Sequence, residues 1–320
     1  MLSIRTDINE RFRKHSRMSF EFLTALGTRT GLLRESRGSY EFPKLLPERS
    51  HWRLTPYGNV QCHVAGTGSP LLIAPGLWGG SDAISPLIFE LAKSFRVHWF
   101  DWSGDAGFVE PAGLRNVFRP QSILEEVIHA TRERNLTVLG HSFGAWVALH
   151  SLTRGNLPHV SRLILTGAGL CDSHRPADVF LRNLKRSKSF DSNDPIIAAL
   201  VKTALGSGFE SGPAYRQAVA AFSRTSPAAL SKRMEWMTEA KAELGSVEHS
   251  VSLTLLAGER DSVVPVHSQV RLAESIGADV TAIPGTGHLG VLTHPVQYAQ
   301  AVARVIRQSS DTSRRRVLSE

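Results

Sequence analysis

The pentapeptide Gly-His-Ser-Phe-Gly at residues 140–144 most constrains what this chain can fold into. It follows the apolar run Leu-Thr-Val-Leu at residues 136–139, which predicts a strand, and it precedes residues 145–152, which predict a helix. Glycine at both ends of the pentapeptide indicates that the strand and helix backbones approach too closely for a Cβ atom. The segment therefore predicts a sharp corner that holds the Ser142 hydroxyl out at the carboxyl edge of a sheet.

Two later segments supply an acid and a histidine in the same structural context. Residues 253–257 predict a short strand, and Asp261 lies on the loop after it. Residues 280–283 predict the next strand, and His288 lies on the loop after that one. A neutral imidazole can take the proton of a serine hydroxyl that attacks a carbonyl, and a carboxylate behind the imidazole fixes its tautomer. The pattern predicts Ser142 as nucleophile, His288 as base and Asp261 as the orienting acid.

A fourth segment, residues 71–81, reads as a buried strand that enters a glycine-rich turn. Attack on a carbonyl creates an oxyanion, which two fixed N–H donors can stabilise. We expect the backbone amides of Leu77 and Phe143 to be these donors. The histidines and cysteines show no metal-ligand spacing, and no Gly-Lys-Ser/Thr phosphate loop is present, so no metal and no cofactor are predicted.

Strand and helix signals alternate along most of the chain, which predicts a mostly parallel sheet covered on both faces. Further predicted strands lie at residues 52–55, 60–65, 70–74, 96–100 and 162–166. Predicted helices lie near residues 81–94, 121–133, 143–154, 266–276 and 295–308. Ligands of such sheets bind at the carboxyl ends of the strands, where the four candidate segments fall.

Residues 171–249 interrupt this alternation with predicted helices near 176–187, 194–205, 212–223 and 227–243. An insertion at this point would cover the carboxyl edge of the sheet and form the lid of an acyl pocket. Trp236 and Met237 from the insertion, with Trp78 from the glycine-rich turn, are the candidate pocket residues.

With these residues in place, the chain resembles a serine α/β-hydrolase with a helical lid, close to the esterase, lipase and meta-cleavage-product hydrolase group. The likeness covers about residues 52–308. It includes Gly-Glu-Arg-Asp-Ser-Val-Val-Pro at 258–265 and Gly-His at 287–288. The chain departs from the family with Pro75-Gly76, where His-Gly is usual, and at residues 101–107, where the family often has Asp-x-Arg-Gly-x-Gly.

The resemblance implies an α/β fold of the α/β-hydrolase type, with an oxyanion hole and a nucleophile elbow at Ser142. Some relatives place the acid after the strand predicted at 162–166, which makes Asp172 the alternative to Asp261. The expected activity is cleavage of a carboxylic ester or thioester of a small-molecule acyl substrate through an acyl-enzyme. Two alternatives remain open: C–C bond hydrolysis or acyl transfer by the same triad, and a hydrolase-like ligand receptor with little turnover.

The length of 320 residues and the 42% hydrophobic content are enough for a large core, in one domain or in a domain with an insertion. The core is expected at residues 51–170 and 250–308, between an N-terminal basic arm at 1–50 and a tail at 309–320. Two cysteines do not make a disulfide framework, no apolar run is long enough to span a bilayer, and charges near the N-terminus disfavour a signal peptide. These features favour a cytoplasmic protein.

The net charge of +8 comes largely from the arm and from the arginines at 314–316. Such runs are usually solvated, although contact of the arm with a membrane surface is the alternative. No nucleic-acid-binding module accompanies the charge, so no nucleic-acid partner is expected. The sequence assigns no oligomeric state.

Overall fold

The structure is a computed structural model, and it describes residues 49–55, 58–102, 104–105, 108–109, 119–155, 157, 159–170, 195–242 and 251–317. The predicted basic arm lies outside these ranges apart from residues 49–50. The insertion helix predicted near 176–187, the alternative acid Asp172 and the last three residues of the tail also lie outside them.

Nine strands of the described chain form a single sheet, in the order β1-β2-β4-β3-β6-β7-β8-β9 with β5 paired to β2. Strands β1, β2 and β4 pair in antiparallel fashion, and every pair from β4 to β9 along this order is parallel. The strands are β1 Arg49–Thr55, β2 Gly58–Ala65, β3 Ser69–Ala74, β4 Phe95–Phe100, β5 Phe108–Val109, β6 Leu136–His141, β7 Val160–Thr166, β8 Ser252–Gly258 and β9 Asp279–Ile283.

Alternate residues of the central strands point to opposite faces of the sheet. Both faces are therefore apolar, and helices cover both. Leu72 and Val138 join the apolar cluster of one face, whereas Leu71 and Leu139 join that of the other. The helices are α1 Gly80–Ala92, α2 Pro120–Thr131, α3 Phe143–Thr153, α4 Pro195–Leu205, α5 Pro213–Ser223, α6 Pro227–Ala242, α7 Val266–Ile276, α8 Gly290–Thr293 and α9 Pro295–Val317. Helices α2, α3 and α7 pack on the first face, and α1 and α9 on the second. The predicted α/β class and α/β-hydrolase fold are confirmed.

Three differences from the sequence-based elements concern short or polar segments. The last helix continues past residue 308 to Val317, although its second half lacks the apolar repeat from which helices are predicted. Strand β5 has two residues and helix α8 has four, which is too short for any periodicity to appear. None of these differences lies at the carboxyl edge that carries Ser142.

Helices α4, α5 and α6 belong to the insertion and share an apolar cluster of their own. Leu289 and Leu292, which follow His288 in the chain, complete this cluster. The insertion is joined to the sheet domain by polar contacts as well: Gln217 of α5 donates to the Asp82 carbonyl of α1 over 2.8 Å, and the Leu289 amide donates to the Ala204 carbonyl over 2.8 Å. The helices of the insertion therefore pack directly on elements that carry the candidate site.

No helix within the described ranges combines the length and the apolar character that a membrane crossing requires.

The corner between β6 and α3 is as close as its glycines predict. A Cβ atom on Gly140 would lie 2.6 Å from Ala145 Cα, and one on Gly144 would lie 2.2 Å from the Ala74 carbonyl oxygen. Both obstacles are backbone atoms, which cannot move without displacing β3 or α3. The strand and the helix can therefore approach this closely only because Gly140 and Gly144 have no side chains.

We predict that Gly144→Ala lowers the free energy of unfolding by about 3 kcal/mol, because a methyl group is forced into a filled space. Gly155→Ala is the matched control: no atom lies within 4 Å of its added Cβ, so only its φ of +72° opposes the change. That conformational cost is about 1 kcal/mol. Urea denaturation of the three proteins measures both effects, and equal losses for the two variants would contradict the close approach at the corner.

Candidate active site

Ser142 occupies the corner between β6 and α3 in a conformation that most side chains avoid. Its φ of 51° lies in the left-handed region, and its ψ is −111°. The surrounding structure holds it there, since the Ser142 amide donates to the Thr166 carbonyl at the end of β7 over 2.8 Å. Strain of this kind persists only where neighbouring contacts over-determine the backbone. The corner thus directs the Ser142 side chain away from both the strand and the helix.

The structure brings the three predicted catalytic side chains into one hydrogen-bonded chain. His288 Nε2 lies 3.1 Å from Ser142 Oγ, and His288 Nδ1 lies 2.9 Å from Asp261 Oδ2. The imidazole and the carboxylate are both buried. Because the carboxylate accepts from Nδ1–H, Nε2 is left with the lone pair that can accept the serine proton. This geometry is that of a nucleophile, a base and an orienting acid.

Asp261 is held by more donors than the histidine alone. Its Oδ1 accepts from the amides of Val263 and Val264 over 2.9 and 2.8 Å, and its Oδ2 accepts from Gln269 Nε2 over 3.2 Å. These hydrogen bonds fix the orientation of the Asp261 carboxylate against His288 Nδ1. Gln269 was missed in the sequence analysis, although it shares the buried face of α7 with Ser268 and Leu272. Its helical spacing of three residues from Leu272 was the available signal.

His141 supports His288 through the backbone. Its Nε2 donates to the His288 carbonyl over 3.1 Å, and the two rings are 5.4 Å apart. Burial, and after it the neighbouring His288, lower the pKa of His141 to about 4. The ring is therefore neutral at physiological pH with its proton on Nε2. The sequence analysis assigned no role to His141.

The turn after β3, which carries Leu77, lies against the corner. A Cβ atom on Gly144 would be 2.5 Å from the Pro75 carbonyl oxygen. Phe143 directly follows Ser142 and is the first residue of α3. The segments that carry Leu77 and Phe143 therefore meet at the corner that holds Ser142.

Two carboxylates, Asp101 and Asp105, follow β4 where the family often has Asp-x-Arg-Gly-x-Gly. Asp101 Oδ1 accepts from the Ser81 amide at the start of α1 over 2.7 Å, and Asp105 lies beside it. Burial and then the nearby Asp105 raise the pKa of Asp101 to about 6. Asp105 forms a buried ion pair with Arg233 of α6 over 3.0 Å. The sequence analysis assigned no role to these two carboxylates or to Arg233.

The candidate pocket residues lie at two places. Trp78 packs on Phe222 of α5, with ring centroids 5.2 Å apart. Trp236 lies edge-on to Phe143 at 5.6 Å and to His150 at 5.5 Å, and the neighbouring Met237 packs against the same core cluster. All three predicted pocket residues are half-buried. In the ranges that the structure describes, no group of three or more His, Cys, Asp or Glu side chains is arranged to hold a metal ion.

We predict that Asp101→Asn removes the part of the pH dependence of the free energy of unfolding that comes from this carboxyl group. The pKa of Asp101 is raised from 3.8 to about 6 on folding, so the folded state binds this proton more tightly than the unfolded state. Its stabilising effect is complete below about pH 3.8 and is lost as the pH rises through about 6. Asparagine keeps the acceptor for Ser81 without the charge, so the variant should gain up to about 3 kcal/mol over the wild type at neutral pH. Urea denaturation between pH 4 and pH 8 tests this, and a difference that does not change with pH would contradict it.

Comparison with known proteins agrees with this geometry. The sequence model described as "Alpha/beta hydrolase family" matches residues 71–301. The pimeloyl-[acyl-carrier protein] methyl ester esterase of Xylella fastidiosa (strain 9a5c) is 25% identical over 260 residues, which cover 76% of this chain and 97% of that protein.

Solved structures share the fold at lower identity. A hydrolase from Pseudomonas aeruginosa PA01 superposes with a TM-score of 0.68 at 18% identity, over 81% of this chain and 98% of that one. A thermophilic esterase from Thermogutta terrifontis superposes with a TM-score of 0.67 at 20% identity, over the same shares of 81% and 98%. Because the family model matches residues 71–301, which are most of its length, this chain belongs to the alpha/beta hydrolase family.

Proposed function

We propose that this protein is a serine hydrolase that cleaves a carboxylic ester or thioester through an acyl-enzyme formed on Ser142. The observation that carries the proposal is the hydrogen-bonded chain from Ser142 Oγ through His288 to Asp261. Membership of the alpha/beta hydrolase family supports hydrolysis as the reaction. The name of the Xylella relative, a methyl ester esterase, supports an ester as the bond that is cleaved.

In the acylation step, His288 Nε2 takes the proton of Ser142 as Oγ bonds to the substrate carbonyl carbon. The carbonyl oxygen becomes an oxyanion, which accepts hydrogen bonds from the amides of Leu77 and Phe143. The bond to the alkoxy or thiol group then breaks, and the proton on His288 passes to that leaving group. Water repeats the sequence on the acyl-enzyme, so the acid is released and the proton returns to Ser142.

The charges around His288 favour this cycle. Asp261 lies against the nitrogen that becomes part of the imidazolium, and its other oxygen is fixed by two backbone amides. His141 lies only 5.4 Å away, where a second positive charge would oppose the imidazolium. Because the pKa of His141 is lowered to about 4, that second charge does not form at neutral pH.

We further propose that the helical insertion serves as the lid and that Trp78, Trp236 and Met237 contact the acyl group. Support comes from where these side chains lie: Trp78 follows Leu77 directly, and Trp236 packs on the ring of Phe143. An acyl chain that enters between the insertion and the sheet edge would therefore meet them next to the oxyanion donors. Apolar walls beside a few fixed polar groups are typical of small-molecule pockets.

The central prediction is that Ser142→Ala removes ester hydrolysis while the protein stays folded. The loss in kcat should be about 10⁴-fold or more, since the members of a triad act as a unit. Ser151→Ala is the matched control, because Ser151 is a buried serine on the adjoining helix α3 and should leave the rate nearly unchanged.

The measurement is kcat/KM on chromogenic esters and thioesters of graded acyl length, with and without an added alcohol. Retention of more than about a tenth of the rate in Ser142→Ala would contradict the mechanism. Products formed with the alcohol would favour acyl transfer. Tight binding of these compounds without turnover by the wild type would favour a receptor.

A second prediction concerns acyl preference. Trp236→Ala and Met237→Ala should shift the preferred chain length, because each lost methylene contact is worth about 1 kcal/mol of discrimination. The rate on an acetyl ester should stay within about threefold, as expected when only remote binding is removed. Trp52→Ala is the control, since Trp52 is a tryptophan of the edge strand β1 with 53% of its surface exposed. Equal losses on acetyl, butyryl and octanoyl esters would show that these two residues do not line the pocket.

A further inference from the structure

Arg233 of helix α6 joins the insertion to the turn that carries Leu77. Its Nη1 donates to the Leu77 carbonyl over 2.6 Å, and its Nη2 lies 3.0 Å from Asp105 Oδ2. The guanidinium carbon also lies 6.0 Å from the centre of the Phe143 ring. One side chain therefore contacts both of the residues whose amides are the proposed oxyanion donors.

A second link from the insertion holds the same turn two residues further on. The hydroxyl of Thr225, between α5 and α6, accepts from the Gly79 amide over 2.8 Å and donates to Asp105 Oδ1 over 2.6 Å. The insertion backbone is so close that a Cβ atom on Gly79 would lie 2.6 Å from Ala221 Cβ. Asp105 is thus the common partner of both links, and the turn is clamped between the sheet domain and the insertion.

Arg233 itself is placed where it cannot touch a substrate. None of its side-chain surface is exposed, and the side chain of Asp105 is only 3% exposed. A buried guanidinium is costly unless a carboxylate and further acceptors compensate it, and here one carboxylate and one backbone carbonyl do so. The geometry explains why arginine suits this position, since its planar fork reaches two acceptors at once.

We propose that Arg233 is a positioning residue. It fixes the turn after β3 that carries Leu77, which we call the oxyanion turn, by holding the Leu77 carbonyl and the Asp105 carboxylate together. This inference rests on the proposed function, in which the Leu77 amide stabilises the oxyanion. The Leu77 carbonyl belongs to the peptide that follows this amide, so holding it limits rotation of Leu77. The insertion then contributes to the stability of the transition state as well as to enclosure of the acyl group.

The test compares variants that remove the clamp without leaving an unpaired charge. Asp105→Asn combined with Arg233→Met removes both charges, a change that buried ion pairs often tolerate. Thr225→Val removes only the second link and is nearly isosteric. Arg216→Met, at an exposed arginine of α5, is the control for loss of positive charge from the insertion.

The readouts are kcat and KM on a butyryl ester and the inhibition constant of an alkylboronic acid, which forms a tetrahedral adduct on serine. Circular dichroism checks that each variant is folded. The double variant should lose about tenfold or more in kcat with KM within about threefold, and boronate affinity should fall in parallel, as expected when oxyanion stabilisation is weakened. Thr225→Val should show the same pattern with a smaller loss, and Arg216→Met should match the wild type.

A folded double variant with the kcat of the wild type, or with a change in KM alone, would overturn this inference. If the double variant does not fold, Thr225→Val provides the test, and an unchanged kcat in that variant would also overturn the inference. Failure of the proposed function gives a different result, because the wild type would then show no turnover that depends on Ser142, and both proposals would fall. Turnover that depends on Ser142 but is unaffected by the clamp variants would overturn the inference on Arg233 alone.

Discussion

The close approach of β6 and α3 at Ser142 is the constraint on which the rest of the site depends. No Cβ atom fits at Gly140 or Gly144, and the Ser142 backbone keeps its left-handed conformation through its hydrogen bond to Thr166. This corner places the hydroxyl at the carboxyl edge of a parallel sheet. Loops from β8 and β9 end at the same edge, so Asp261 and His288 reach the hydroxyl without any rearrangement of the core.

Hydrogen bonds fix the polar residues that surround this corner. Asp261 is held by the amides of Val263 and Val264 and by Gln269, and His288 is held at its carbonyl by His141. On the other side of Ser142, contacts from the insertion hold the turn after β3. The Asp261 carboxylate takes its hydrogen bonds from the sheet domain, whereas the turn that carries Leu77 is held in part by the insertion.

Sequence reasoning predicted the fold because alternating strands and helices bury their apolar residues with regular periods. It also indicated Ser142, Asp261 and His288, since each lies at the end of a strand or on the loop that follows it, and parallel strands end at one edge. Arg233 could not be found in this way. Its partner Leu77 is 156 residues away in the chain, and the contact depends on how the insertion packs. The short elements β5 and α8 were not predicted for a different reason, because segments of two and four residues are too short to show a hydrophobic period.

The proposed function depends on Ser142 as a nucleophile that His288 activates. The most direct measurement treats the folded protein with a fluorophosphonate and locates the phosphonyl group by peptide mapping and mass spectrometry. We expect one adduct per chain, carried on Ser142, and labelling that is slowed by orders of magnitude in His288→Gln. An adduct on another residue, or labelling of Ser142 at an undiminished rate without His288, would contradict it.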